Sequence, residues 1–289
     1  MIDLHIHTIH SDGTDNVIKI LEKAQNLSLE AISITDHDNI KAYDDLSKID
    51  SKKYYSGIII PGVEIKTTFN KVPIEILAYN VDMDKFSKSN CINENSHNIN
   101  QNKYLENYIK VGEKLGLKCN KNISIDDNKS FAAITYYNEI SKHKENYSII
   151  PELLNEKKES FYRLTSSNIN SPFYIDESND SIDINLVIET IHNCGGKAFL
   201  AHLFAYKVDN HIFFLEEIIN NTKIDGIECY YSTFTKEQTK TIIEIANKHN
   251  KYKSGGTDYH GTNKKSISLG IGEGNLEIPF EIIKDWYTI

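Results

Sequence analysis

The chain has few of the residues that build phosphate clamps, disulfides or membrane spans. Among its 289 residues, Arg163 is the only arginine, so bidentate guanidinium contacts to phosphate are nearly absent. Its four cysteines are scattered without Cys-x-x-Cys spacing, which argues against a disulfide framework and a cysteine zinc site. No stretch approaches the roughly 18 consecutive apolar residues that a membrane span needs. We therefore expect a cytoplasmic protein without a membrane span or a secretory signal peptide.

Acidic residues outnumber basic ones, and the formal net charge is -9. The hydrophobic share of 39% and the charged share of 25% are ordinary for a globular protein. The negative charge argues against broad, charge-driven binding to nucleic acid or anionic membranes. If the substrate is anionic, something other than arginine has to attract it, and bound metal ions would do so.

Strand and helix patterns alternate in the two outer parts of the chain. The predicted strands cover residues 3–7, 31–35, 57–65, 73–79, 197–202, 226–231 and 252–260. The helical patterns cover residues 14–27, 40–48, 184–193 and 236–249. This alternation predicts an α/β fold with a largely parallel sheet, either open or closed into a barrel. In such folds the chemistry gathers at the carboxyl ends of the strands.

The central part of the chain has a different amino-acid composition. Residues 87–183 are rich in Asn, Lys, Ser and Glu, with helical periodicity over 102–115 and 131–140. We predict an inserted, mostly helical subdomain between a first barrel part, 1–86, and a second, 184–289. The insert is either a surface elaboration or a lid over the site, and the sequence favours neither.

Histidines and carboxylates recur at the ends of the predicted strands. His5 and His7 lie two residues apart on a strand and so share a face, and Asp258 and His260 repeat that spacing. The other strand-end candidates are His37, Glu64 and His202. A single histidine at such a place is usually a core or surface residue. Five of them with several carboxylates predict a site for zinc, iron, manganese or a similar divalent ion.

Short motifs in both outer parts give the chain a family resemblance. They are His-Ile-His at 5–7, Ser-Asp-Gly-Thr at 11–14, Thr-Asp-His-Asp at 35–38, Pro-Gly-Val-Glu-Ile at 61–65, Gly-Gly-Lys-Ala-Phe-Leu-Ala-His at 195–202 and Gly-Gly-Thr-Asp-Tyr-His-Gly at 255–261. Their order and spacing resemble the successive motifs of the PHP (polymerase and histidinol phosphatase) superfamily. The resemblance implies a distorted, seven-stranded, TIM-like (β/α) barrel whose mouth holds two or three divalent ions, Mn, Fe or Zn, with Mg as a further candidate.

The resemblance also implies which side chains hold the ions. It places His5, His7, Glu64 and Asp258 around one metal, Glu64 and His202 at a second, and Asp12, His37 and His260 at a third. His37, Glu64 and Asp258 are the catalytic residues that it predicts. Asp36 and Asp38 flank His37, where each either orients a ligand or is a solvated loop carboxylate. His10 has no metal role in the family, and we expect it to be a surface residue.

One ligand position departs from the family pattern. Where relatives have His-Ile-Leu-Gly-Tyr, this chain has Glu-Ile-Leu-Ala-Tyr at 75–79. We predict that Glu75 is a ligand, because a charged side chain at that strand position needs a partner. As a harder donor than imidazole, it favours manganese, iron or magnesium over zinc. The alternative is a second metal that is weakly held or missing.

The function implied by the resemblance is metal-dependent phosphate ester hydrolysis. The candidate substrates are a nucleotide, a nucleoside 3′,5′-bisphosphate and the 5′ end of a short oligonucleotide. Three divalent ions would turn the -4 charge of the four candidate carboxylates into +2, which favours three ions over two for binding a phosphate. The alternatives are a histidinol-phosphate phosphatase and a non-catalytic PHP module. The insert and the 255–261 motif look less like the former, and the single altered ligand position argues against the latter.

Overall fold

A computed structural model describes residues 1–89, 91, 96–125, 131–155, 161, 170–175 and 182–288, with the side chains of 96–100 left undescribed. Two compact units are present: residues 1–92 with 180–289 form the first, and residues 93–179 form the second. Arg163 lies outside the described residues. The predicted insert boundaries at residues 87 and 183 stay a prediction.

The strands of the first unit form two sheets. The first sheet has the order β1 (Ile2–Ile6), β2 (Ala31–Ile34) and β3 (Ile58–Ile59), all parallel. The second sheet contains β4 (Gly62–Phe69), β5 (Val72–Tyr79), β6 (Ile182–Asp183), β7 (Lys197–Leu200), β8 (Gly226–Tyr231) and β9 (Tyr252–Gly256) in the order β6-β4-β5-β7-β8-β9. The β4-β5 and β5-β7 pairs are antiparallel and the others are parallel. The α/β fold with a largely parallel arrangement is therefore confirmed.

Helices alternate with these strands in the first unit and dominate the second. In chain order they are α1 (Val17–Asn26), α2 (Lys41–Ser47), α3 (Met83–Phe86), α4 (Ser96–Leu115), α5 (Ala132–Ile140), α6 (Pro151–Leu154), α7 (Ile184–Asn193), α8 (His211–Asn221) and α9 (Lys236–Lys248). Thr235 and Gln238 form a capping box at the start of α9, which satisfies two backbone N–H groups. Among the described residues, no helix is both long and apolar enough to cross a bilayer.

The predicted closed seven-stranded barrel is corrected, because the described strands form no closed ladder. Single bridges join the two sheets at Ile6 with Tyr259 and at His37 with Glu64. Between β1 and β9, the Thr257 N–H donates to the Asp3 side chain at 2.9 Å instead of to a backbone carbonyl. Side-chain hydrogen bonds thus replace part of the ladder, and the edges of the two sheets meet where the predicted ligands lie.

The predicted strand over 57–65 is two strands that belong to different sheets. It is interrupted at Pro61, which has no N–H to donate to a ladder. At Gly62, a Cβ atom would lie 2.3 Å from Ser33 Oγ, so only glycine allows this close approach. The interruption carries the chain from one sheet to the other just before Glu64.

Apolar faces of the helices cover both sheets. Ile65 and Ile76 of the second sheet lie in one buried cluster with Ile188, Leu215 and Ile242 of α7, α8 and α9. A separate cluster packs the first sheet against α1 and α2. The second unit has its own aromatic-rich core. This packing holds the strand ends rigidly, which the placement of buried ligands requires.

Candidate metal centre

The nine predicted metal ligands come together from distant parts of the chain. Four groups of donors have ligand atoms within 4.8 Å of one another. They are His7, Asp12, His37 and His260; His5, Glu64 and His202; His5, His7 and Asp258; and His37, Glu64 and Glu75. Every predicted ligand belongs to at least one group. The groups overlap, so the donors form one continuous centre.

The innermost part of the centre contains His5, His7, Glu64 and Asp258. Glu64 Oε2 lies 3.2 Å from Nε2 of both His5 and His7, and Asp258 Oδ1 lies 3.6 and 3.2 Å from the same two atoms. Ligands that bind a tetrahedral ion at about 2.0–2.2 Å are separated from one another by about 3.3–3.6 Å. His5, His7 and Asp258 form one donor group, so their spacing suits a shared cation, and Glu64 lies beside both rings of that group.

The other oxygen of Glu64 faces a second set of donors. His202 Nε2 lies 3.1 Å from Glu64 Oε1 and 3.1 Å from Glu75 Oε2, and Glu75 Oε1 lies 3.5 Å from His37 Nδ1. The glutamate that replaces the usual histidine thus reaches the donor set. With one oxygen toward each set, Glu64 has the placement of a bridging ligand.

The third set is the most open. His260 Nε2 lies 3.1 Å from Asp12 Oδ1, and His37 Nε2 lies 3.8 Å from Asp12 Oδ2. The side chains of Asp12 and His37 are 32% and 19% exposed, whereas the Glu64 side chain is 1% exposed. Glu75 of the second set is 22% exposed, so solvent reaches the centre on the side of Asp12, His37 and Glu75.

Hydrogen bonds select the ring nitrogen that three of the five histidines present. Nδ1 of His5 lies 2.9 Å from a carboxylate oxygen of Glu228, and Nδ1 of His260 lies 2.8 Å from the Asp258 carbonyl oxygen. Nδ1 of His7 lies 3.3 Å from Ser11 Oγ, whose hydroxyl donates to Asp36. Because each acceptor takes the Nδ1 proton, Nε2 is left with a free lone pair directed at the centre.

Glu228 is the functional residue that sequence reasoning missed. It is fully buried and accepts hydrogen bonds from two donors, His5 Nδ1–H at 2.9 Å and the His202 backbone N–H at 2.7 Å. The Glu228 carboxylate thereby orients the His5 ring of the innermost set and the backbone of His202 in the second set. The sequence signal for Glu228 is its position between Ile227 and Cys229 in a buried strand. A carboxylate buried there needs a hydrogen-bonding partner.

The residues next to the ligands have structural partners. Asp36 is buried and accepts hydrogen bonds from the Thr8 backbone N–H and hydroxyl at 2.7 and 2.6 Å, so it holds the loop after β1. Asp38 accepts from the Lys66 backbone N–H at 3.0 Å. His10 Nε2 lies 2.7 Å from Asp45, and its side chain is 19% exposed, outside the four donor groups.

The donor set fits divalent cations. Four buried polar atoms that face the other donors have no hydrogen-bond partner within the described part of the chain, namely His5 Nε2, His7 Nε2, His37 Nδ1 and Glu64 Oε2. Leaving a buried polar atom unpaired costs about 1–3 kcal/mol. Imidazole nitrogens and carboxylate oxygens without thiolates suit manganese, iron and zinc. The residues present therefore match the ions that the sequence predicted.

Burial and charge set the protonation of the metal-free centre. Burial opposes protonation of His7 and His202, but the neighbouring carboxylates outweigh it and raise the pKa to about 9 for His7 and about 10 for His202. For His37, burial dominates and lowers the pKa to about 4. Burial would raise the pKa of Glu64, yet His5 and His37 hold it well below its usual range. Protons on His7 and His202 therefore compete with metal ions at neutral pH.

Comparisons with known proteins agree with this geometry. The PHP domain model matches residues 3–254. A 5′-3′ exoribonuclease of Haemophilus influenzae is 27% identical over 270 residues, covering 89% of both chains. The 5′-3′ exoribonuclease Rnm of Escherichia coli is 23% identical, covering 89% of this chain and 84% of its own. A Bifidobacterium adolescentis protein classed as a metal-dependent phosphoesterase shares the fold, with a TM-score of 0.68 and 20% identity over 98% of this chain and 94% of its own.

We expect Glu228→Gln to weaken metal binding by about 10- to 100-fold, as losses of such orienting partners do. Glutamine has one acceptor oxygen, so it satisfies either the His5 ring or the His202 N–H, and not both. Chelator-competition titration with Mn²⁺ measures the effect. Glu139→Gln is the matched control, because Glu139 is also buried but accepts from the Asn120 backbone N–H and from Lys142, outside the four donor groups. Equal affinities in the two variants would contradict this role.

Glu75→His is expected to raise the ratio of bound zinc to bound manganese, because imidazole is the softer donor. Metal analysis after equilibration with both ions measures the ratio. Glu75→Gln, which removes the charge without adding a ring, should lower the amounts of both bound zinc and bound manganese. An unchanged metal profile in both variants would show that Glu75 is not a ligand.

The metal-free protein is expected to lose stability as the pH rises from neutral toward 10. The raised pKa values of His7 and His202 contribute stability that is complete below about 6.5, the ordinary histidine value, and is lost as the pH passes about 9 and 10. Melting temperatures in EDTA across this range measure the loss. His202→Gln should flatten the upper part of the curve, and a flat or rising wild-type curve would contradict the assignment.

Proposed function

Because this chain belongs to the PHP domain family and is a metal-dependent phosphoesterase, we propose that it hydrolyses short oligonucleotides from the 5′ end and releases mononucleotides. The observation that carries the proposal is the convergence of nine donors from both outer parts of the chain on one centre. Two relatives named as 5′-3′ exoribonucleases, each aligned over 89% of this chain, support the choice of substrate. A cytoplasmic location is part of the same proposal.

The side chains of the centre hold and orient the groups that the reaction needs. Divalent ions bound there would stabilise charge on phosphoryl oxygens and acidify a water molecule. Glu228 and Ser11 keep the His5 and His7 rings in the tautomers that leave Nε2 free. Asp258 Oδ2 accepts from the Tyr231 hydroxyl at 2.7 Å and from Lys264, so Oδ1 stays directed toward His5 and His7.

Lysine at the rim supplies the positive charge that arginine does not. The Lys264 side chain is 40% exposed and lies beside Asp258. Burial would lower its pKa, but Asp258 and other carboxylates outweigh burial and raise it, so Lys264 is charged at neutral pH. A phosphate that enters beside the exposed Asp12 and His37 meets this cation at the edge of the centre.

We expect the wild-type protein with Mn²⁺ to release 5′-mononucleotides stepwise from a 5′-phosphorylated RNA tetranucleotide. His37→Ala should reduce turnover to background because it removes a donor of the third set. The matched control is His10→Ala, which removes a nearby ring outside the four donor groups and should retain activity. Chromatography of the products over time measures both rates.

The same assay separates the rival functions. Histidinol phosphate and a nucleoside 3′,5′-bisphosphate are offered as alternative substrates under the same conditions. Turnover of histidinol phosphate without turnover of RNA would overturn the proposal in favour of the phosphatase. Failure to bind stoichiometric metal, together with no turnover of any substrate, would assign the chain as a non-catalytic module.

A further inference from the structure

A continuous row of aromatic rings leads away from the metal ligands. The ring centroid of Tyr231 lies 5.4 Å from that of His202, and the Phe234 ring lies 5.1 Å beyond Tyr231. Phe204 packs edge-to-face on Phe234, with centroids 5.1 Å apart and an interplanar angle of 83°. A single ring therefore separates the centre from the Phe204–Phe234 pair.

The two phenylalanines come from neighbouring loops on the ligand side of the second sheet. Phe204 lies in a short 3-10 helix directly after His202, beyond the carboxyl end of β7, and Phe234 lies beyond the carboxyl end of β8. Both rings are half-buried and pack on the core cluster of the second sheet. Because β7 and β8 are parallel neighbours, their following loops adjoin the same edge as the metal centre.

The rest of the row fixes the position of the pair. The Tyr231 hydroxyl donates to Asp258 Oδ2 at 2.7 Å, which ties its ring to a metal ligand. On the far side, the His211 ring packs on Phe204 with centroids 5.3 Å apart, and its Nε2 lies 2.9 Å from the Tyr206 carbonyl oxygen. Rings held at both ends in this way are rigid, so a flat group can bind them at little entropic cost.

We propose that Phe204 and Phe234 form a stacking site for the nucleobase of a nucleotide whose phosphate lies at the metal centre. This inference rests on the proposed function and names how that substrate is recognised. Tyr231 separates the ligands from Phe234, much as one sugar separates a phosphate from its base. Stacking on an aromatic ring accepts every base, because each base has a π-face. The chain thereby recognises nucleotides without specificity for sequence and without arginine.

The experiment compares AMP with ribose 5-phosphate, which carries the same phosphate and sugar without the base. Calorimetry with the Mn²⁺-loaded protein measures both affinities. Stacking of one base corresponds to about 5- to 150-fold in affinity, so the wild-type protein should bind AMP more tightly by a factor in this range. Phe234→Leu, which keeps apolar bulk but removes the ring, should lower this ratio toward one, whereas Phe234→Tyr should preserve it. Phe204→Leu should also lower the ratio.

Phe213→Leu is the control, because Phe213 is 64% exposed but lies outside the row and should leave the ratio unchanged. Metal content and melting temperature check that each variant is folded and loaded. Equal wild-type affinities for AMP and ribose 5-phosphate would overturn the stacking site. An unchanged affinity ratio in the Phe234→Leu variant would overturn it as well. A preference for AMP in a protein that does not cleave oligonucleotides would support the stacking site and refute the proposed function.

Discussion

A single buried carboxylate holds the centre together. Glu64 lies within 3.2 Å of a nitrogen of four histidine rings, those of His5, His7, His37 and His202. Its side chain is 1% exposed, so its negative charge is stable only beside protonated rings or cations. The same carboxylate that favours protonated rings in the metal-free protein would favour cations in a loaded centre.

Glu64 lies at the place where the two sheets are interrupted. The interruption at Pro61 and Gly62 brings Glu64 beside His37, and the incomplete ladder between β1 and β9 brings Asp258 beside His5. A regular ladder pairs backbone groups at every step, whereas here the Thr257 N–H bonds the Asp3 side chain. The irregular edges between the two sheets thus form the space in which the ligands meet.

Local patterns predicted most elements but not the closure of the sheets. The two-residue spacings of His5 with His7 and of Asp258 with His260 placed ligands at strand ends, and the 184–193 helix matches α7. The seven-stranded barrel is not confirmed, because the described strands form two sheets without a closed ladder. The pairing between these sheets depends on side-chain hydrogen bonds between distant segments, which local sequence patterns do not predict. Helix α8 was not predicted, although its buried residues Phe214, Leu215, Ile218 and Ile219 recur at helical spacing. Glu228 was missed because its partners come from other strands.

Glu228 also changes the charge balance of the centre. With the four candidate ligand carboxylates it makes five negative charges at the centre, so two divalent ions would leave -1 and three would leave +1. The sign of the centre would then depend on the third set, to which the partly exposed Asp12 and His37 belong. An anionic substrate would be attracted more strongly with that set filled, and the charged Lys264 would moderate the difference. In this acidic, arginine-poor chain, the proposed binding of a phosphate would therefore depend on how many divalent ions the centre holds.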